Sequence, residues 1–244
     1  MRATLGFSWP LIMIFAALVF ATVSVDRTEV ERIAVLGELS AAQLADIKQQ
    51  IDGFESPRSE LAAVKAHLSA LPWVQQVNVR KSWPSGIEIE VRPETVIAYW
   101  NDDAFINKAG DVLTTDLLVP GDLPHLYGPE GREFEVMTRY QQLQPMLSTH
   151  AHEINVLSYS ERGSWSIETR DGIEVLLGKE DLRARVGRFL SVSERLSEGE
   201  GRPDILRMDA RYANGVAVHF DSNAHNNNEL ELAENNKLVG DQNL

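Results

Sequence analysis

The chain has 244 residues, 43% of them hydrophobic, a formal net charge of −13 and no cysteine. That length allows one or two domains beyond any targeting segment. The charge argues against nucleic acid, which selects basic surfaces, and against broad adhesion to anionic lipid headgroups. The lack of cysteine excludes disulfides, cysteine-based zinc sites and cysteine nucleophiles, and it fits an oxidising compartment.

Ala3–Val25 carries no charge, with Arg2 before it and Asp26, Arg27, Glu29, Glu31 and Arg32 after it. At 1.5 Å per residue such a run crosses about 30 Å of hydrocarbon. Trp9 suits an interface. The reading is a three-residue cytoplasmic tail (1–3) and a transmembrane helix (4–25), with everything after Asp26 exported. The competing reading is a signal peptide cleaved near Val19-Phe20-Ala21. The apolar run is long for such a signal, however, and the site lies inside it.

Val30–Gly37 alternates apolar and polar residues and predicts a strand. Ser40 and Gln43 stand in capping-box spacing, so a helix starts there and carries Leu44, Ile47 and Ile51 inward. "GFESPR" interrupts it. Ser59 is placed to cap a second helix with Leu61, Val64, Ala66, Leu68 and Leu71 inward, ending before Pro72. Val74–Lys81 is a strand, "WPSG" a turn, and "IEIEV" strict alternation with Ile87, Ile89 and Val91 inward. Strand, helix, helix, strand, strand closes as a three-stranded sheet with both helices on one face.

Further along, Val96–Trp100, Ala104–Asn107, Asp111–Leu113 and "LPHLY" predict short strands, followed by a glycine-rich bend. Phe134–Leu147 has helical spacing through Val136, Met137, Tyr140, Leu143 and Leu147, with Pro145 distorting the last turn. Ile154–Tyr159, Trp165–Thr169 and Ile173–Leu177 predict strands, with Asp171-Gly172 at the second hairpin. Glu180–Leu196 predicts a helix with Leu182, Val186, Phe189, Leu190 and Leu196 inward. Ile205–Asp209 and Val216–Phe220 flank an Asn-Gly turn in "RYANG". Residues 221–244 are asparagine-rich and acidic and predict disorder.

Leu71-Pro72-Trp73-Val74, Val77, Val79, Lys81, Trp83-Pro84, Ile87, Ile89 and Val91, in that element order, resemble a POTRA domain. An apolar anchor, one POTRA unit and a mixed β domain carrying "YGPEG", "VLLGKEDLRARVGRF" and "RMDARYANGVAVHF" resemble the FtsQ/DivIB family of bacterial division proteins. His219 and Phe220 depart from the family pattern, which favours a small residue and a tryptophan there. The resemblance implies an α+β fold: a POTRA domain (26–93), then a mixed β-sheet domain with packed helices (94–220). It implies a non-enzymatic scaffold without cofactor, single-pass in the inner membrane at the septum, with its C-terminal domain in the periplasm. Its partners are then FtsB and FtsL, besides other septal membrane proteins. The implied partner-binding positions are Arg211, Tyr212, Asn214, Gly215, Val218 and Phe220, flanked by Arg162.

Independently of that resemblance, Val216–Phe220 precedes a polar tail and has neither proline nor fixed charge. A terminal strand of this kind is suited to accept a partner strand at an open edge. Residues able to do chemistry are sparse. His150-x-His152 beside Glu153 has metal-ligand spacing but lacks a third ligand. Asp102-Asp103 reads as a solvated turn, and neither a nucleophile elbow nor a phosphate loop is present. Trp73, Trp83, Trp100 and Trp165 read as core or edge packing, and Arg183, Arg185, Arg188 and Arg195 as a solvated helix face. Two other classes stay open beside the scaffold. An outer-membrane assembly component normally carries several POTRA units or a barrel. A periplasmic hydrolase would need a site the residues do not suggest.

Overall fold

The computed structural model describes residues 32–197 and 204–221. The expected anchor (4–25) and polar tail (222–244) lie outside the described residues. Among the described residues no helix is long and apolar enough to cross a membrane. Two compact units are present. One holds the residues up to Ser69 with Val77–Arg92, the other Ala70–Gln76 and the chain from Pro93 onward.

In the first unit, β1 (Arg32–Leu36) is followed by α1 (Ala41–Ile51), α2 (Leu61–Ser69), β2 (Val74–Ser82) and β3 (Gly86–Pro93). The sheet order is β1-β3-β2, and β1 runs parallel to β3 with Arg32 opposite Gly86 and Ile33 opposite Ile87. Helix α1 begins with the predicted capping box. The Gln43 N–H donates to Ser40 Oγ at 3.2 Å and the Ser40 N–H to Gln43 Oε1 at 2.9 Å. Ile47, Val64, Leu68, Val77, Ile87, Ile89 and Val91 form the buried faces of the helices and strands. Three expectations fail here. Ser59 does not cap α2: its hydroxyl donates to the Ser56 carbonyl, and the Glu60 carbonyl accepts the first helical bond from Val64. Ala66 points outward, half a turn from the Val64–Leu68 stripe. Trp83 is 92% exposed at the tip of the β2–β3 hairpin, because the turn carries it beyond the end of the sheet.

The second unit is built on a nine-stranded sheet. Its strands are β4 (Val96–Trp100), β5 (Ala104–Asn107), β6 (Val112–Leu113), β7 (His125–Tyr127), β8 (Ile154–Tyr159), β9 (Trp165–Thr169), β10 (Glu174–Gly178), β11 (Ile205–Asp209) and β12 (Ala217–Phe220). They lie in the order β12-β11-β10-β9-β8-β7-β4-β5-β6. Helix α3 (Glu133–Ser148) connects the parallel pair β7 and β8, and α4 (Leu182–Ser197) the parallel pair β10 and β11. Parallel neighbours need such crossovers, since a tight turn cannot return the chain to the same end. The two helices touch each other and the sheet, so they cover one face. Val136, Met137, Leu143 and Leu147 of α3 and Val186 and Phe189 of α4 pack there with Leu126, Leu157, Ile167, Val175 and Met208. Trp100 and Trp165 are buried as expected. Gly128 is required by packing: a Cβ there would meet the Trp100 ring at 2.8 Å and Val136 at 2.9 Å.

Candidate functional site: an open sheet edge and its supporting turn

β12 is the outermost strand of the sheet, paired only with β11 among the described residues. Its hydrogen-bonding direction follows from register. The Ala210 N–H donates to the Leu176 carbonyl of β10 at 3.0 Å. Alternation along β11 then turns Asp209 and Arg207 toward β12, where they face Ala217 and His219. The Asp221 N–H, which donates to the Asp204 carbonyl at 2.7 Å, keeps the same alternation. The N–H and C=O groups of Val218 and Phe220 therefore point to the open side. The side chains of Ala217 and His219 are exposed, while Val216, Val218 and Phe220 are half-buried; Val216 and Val218 pack against the core. The strand thus has a firm inner face and a backbone row that is unpaired among the described residues.

The expected turn through "RYANG" lies between the two strands, with β12 beginning at Ala217, one residue later than the expected Val216. Seven residues, 210–216, join β11 to β12, and Gly215 does not have a positive φ. The root of this loop is held from below. Arg211 donates through its N–H and Nε to Asp209 Oδ1 at 3.0 and 2.8 Å, and through Nη2 to Oδ2 at 2.6 Å. This fork holds the Asp209 carboxyl below its ordinary pKa, the Arg211 side-chain bond being the main cause and outweighing partial desolvation. The Arg211 stem lies across Gly178, whose φ is +72°; a Cβ there would come within 3.2 Å of Arg211 Cγ and 2.5 Å of Arg185 Nη1. Arg188 Nη2 donates to the Ala210 carbonyl at 3.0 Å, and Arg185 donates to the Leu177 carbonyl. Arg185 and Arg188 are therefore half-buried supports of the loop rather than part of a solvated face, because the β10 and β11 ends offer carbonyls beside α4. Beyond this root Tyr212 is 60% exposed and Asn214 is exposed.

Arg162 sits exposed in the β8–β9 turn. Trp165 is opposite Gly178, Leu176 opposite Asp209, and Asp209 opposite Ala217. The turn holding Arg162 and the 210–216 loop therefore share one end of the sheet, about 14 Å apart laterally at three strand spacings. The expected positions Arg162, Arg211, Tyr212, Asn214 and Gly215 cluster at that end, with Val218 and Phe220 running away from it along the edge. Sequence reading missed Gly178, Asp209, Arg185 and Arg188. The only trace of their role was the Asp209-x-Arg211 spacing, which has no periodicity to mark it.

The histidine pair is engaged elsewhere. His152 Nδ1 lies 3.1 Å from Asp171 Oδ2 and Nε2 lies 3.0 Å from Ser193 Oγ. A carboxylate only accepts, so Nδ1 carries a proton toward Asp171, and Nε2 shares a hydrogen bond with the serine hydroxyl. This Ser-His-Asp chain, invisible in the sequence, borders a cleft of about 930 Å³. Ser193 lies inside helix α4, where neighbouring N–H groups are spent on the helix and are not free to hold an oxyanion. The chain instead pins α4 to the β9–β10 turn. His150 Nδ1 faces the Met146 carbonyl at 3.3 Å, and Glu153 pairs with Arg170 at 3.0 Å.

A β-α-α-β-β unit with one three-stranded sheet, followed by a helix-backed sheet whose last strand is paired on one side only among the described residues, is the arrangement of the POTRA-plus-β-domain class. Residues 28–92 match the FtsQ-type POTRA domain, and residues 98–212 match the C-terminal domain of the cell division protein FtsQ/DivIB. The chain is 30% identical to the cell division protein FtsQ of Hahella chejuensis over 86% of its own length and 76% of the relative's. It is 30% identical to FtsQ of Aliivibrio fischeri over 87% and 86%, and 31% identical to FtsQ of Xanthomonas campestris over 80% and 71%. The chain belongs to the FtsQ/DivIB family of cell division proteins.

Proposed function

We propose that this chain is a non-enzymatic scaffold of the bacterial division machinery. Residues 4–25 anchor it in the inner membrane with one crossing and its C-terminal domains in the periplasm, at the septum. The edge of β12 accepts a strand of FtsB, in complex with FtsL, and the 210–216 loop and Arg162 clasp the segment's flank. The observation that carries this reading is the backbone row of Val218 and Phe220, unpaired among the described residues, on a strand without proline or fixed charge. Natural edges are normally blunted by such residues, so a bare one is suited to strand addition. Exposed Tyr212 and Arg162 offer the aromatic and arginine side chains that dominate interface energy. The β12 edge and the match to the FtsQ-type POTRA domain favour this role over an outer-membrane assembly component.

The test is site-specific photocrosslinking in dividing cells. A photoreactive residue at His219 should capture FtsB, whereas one at Val112, on the opposite edge strand β6, should not. Capture from Val112 alone, or from neither, overturns the assignment.

A further inference from the structure

Trp83 is the most exposed large hydrophobic side chain of the described residues, at 92%. Nothing in the β12 reading uses it. It stands at the tip of the β2–β3 hairpin, with two basic side chains close to it. Lys81 is two residues away, and Arg58 reaches the tip by donating from Nη2 to the Pro84 carbonyl at 3.1 Å. From Arg80 to Ile87 the chain has no acidic residue; the first, Glu88, is paired with Arg80.

Topology adds the second observation. β1 runs parallel to β3 with Arg32 opposite Gly86. The chain therefore enters β1 at the same end of the sheet from which the hairpin tip projects. Arg32 follows the uncharged run ending at Val25 by seven residues, at most about 24 Å of extended chain. The tip thus shares the end of the sheet at which the described chain begins. Tryptophan is the residue most suited to the headgroup layer, apolar in its ring and polar at its N–H, and basic neighbours favour anionic lipid. The charge of −13 over the whole chain does not oppose this. Screening confines interactions to about 8 Å at physiological salt, so charges near the tip decide.

We infer that the β2–β3 hairpin tip, through Trp83 with Lys81 and Arg58, inserts into the anionic headgroup layer of the membrane that holds the 4–25 anchor. This gives the first unit a second membrane contact and a defined orientation. The inference rests on the anchor reading.

Because the chain has no cysteine, single nitroxide labels can be placed on the full chain in nanodiscs of phosphatidylethanolamine and phosphatidylglycerol. Labels go at Ser85→Cys, at Asn78→Cys in mid-strand, and at Ala17→Cys in the apolar run. The Ser85 label should collide more with oxygen than with a water-soluble nickel chelate, and the Asn78 label should do the reverse. Adding Trp83→Ser should return the Ser85 label to the Asn78 pattern. A water-like Ser85 label beside a lipid-buried Ala17 label overturns the tip contact, and that is also the result a purely protein-docking hairpin gives. A water-like Ala17 label overturns the anchor, and the tip contact with it. A Ser85 label unchanged by Trp83→Ser removes Trp83 from the contact.

Discussion

Proline substitution along β12 separates folding from strand acceptance one residue at a time. Ala217 faces Asp209 and spends its N–H on β11. Ala217→Pro removes that bond and leaves the Asp209 carbonyl without its donor. A net hydrogen bond is worth about 1 kcal/mol and a stranded buried partner about 1–3 kcal/mol. Asp209 is half-buried, so the lower end applies, and about 2 kcal/mol should be lost, a fall in Tm of roughly 5 °C. Val218→Pro strikes the other row. Its N–H has no bond within the sheet, and proline keeps the same number of side-chain carbons against the core. Only the shift of φ toward −65° is unfavourable, so the fold should stay within about 1 kcal/mol. The partner strand, however, loses a donor and strands a carbonyl. About 2 kcal/mol of binding should go, roughly thirty-fold in Kd. The assay pairs circular-dichroism melting of the full chain in detergent with titration of purified FtsB–FtsL. Two stable variants that both bind normally would refute strand addition at this edge. A stable, binding-defective Ala217→Pro beside a melted Val218→Pro would show the alternation assigned to β12 to be inverted.

Ile89→Lys should unfold the first unit, since it places an unpaired ammonium at a fully buried position at a cost of several kcal/mol, whereas Trp83→Ala should melt within about 0.5 kcal/mol of wild type because the ring is exposed; melting of both variants checks the pair. Gly178→Ala should cost about 1–3 kcal/mol for a positive φ and displace the Arg185 and Arg211 side chains; weakened FtsB–FtsL binding beyond the stability loss would show that the loop root matters to the edge. Arg211→Ala should alter the acid limb of stability. Asp209 is depressed in the native state, so its contribution is complete above the ordinary aspartate value of about 3.9 and is lost as pH falls through the lower native value. Wild-type and variant unfolding curves should therefore differ at neutral pH and converge at strongly acidic pH; a constant gap would exclude this linkage.

What the chain alone determined is everything written in short-range periodicity. Alternation in "IEIEV" placed Ile87, Ile89 and Val91 inside, the capping box placed the start of α1, and helical spacing marked the cores of α3 and α4. The resemblance of "RYANGVAVHF" to its family also marked the edge segment, because an edge strand without proline or charge is a local signal. Tertiary structure decided the rest. Trp83 looked like core because tryptophans usually are, yet only the closing of the hairpin shows that the turn overshoots the sheet. Arg185 and Arg188 looked solvated because helical spacing cannot see the carbonyls of β10 and β11. Ser193, His152 and Asp171 are separated by 41 and 19 residues from the histidine outward, too far for any spacing rule. Which row of β12 faces outward depends on a bond between Ala210, just past β11, and Leu176 of β10, two strands joined by a helix. Periodicity reports which face of an element is apolar; partners come from topology, and hydrogen bonds between distant strands leave no period in the chain.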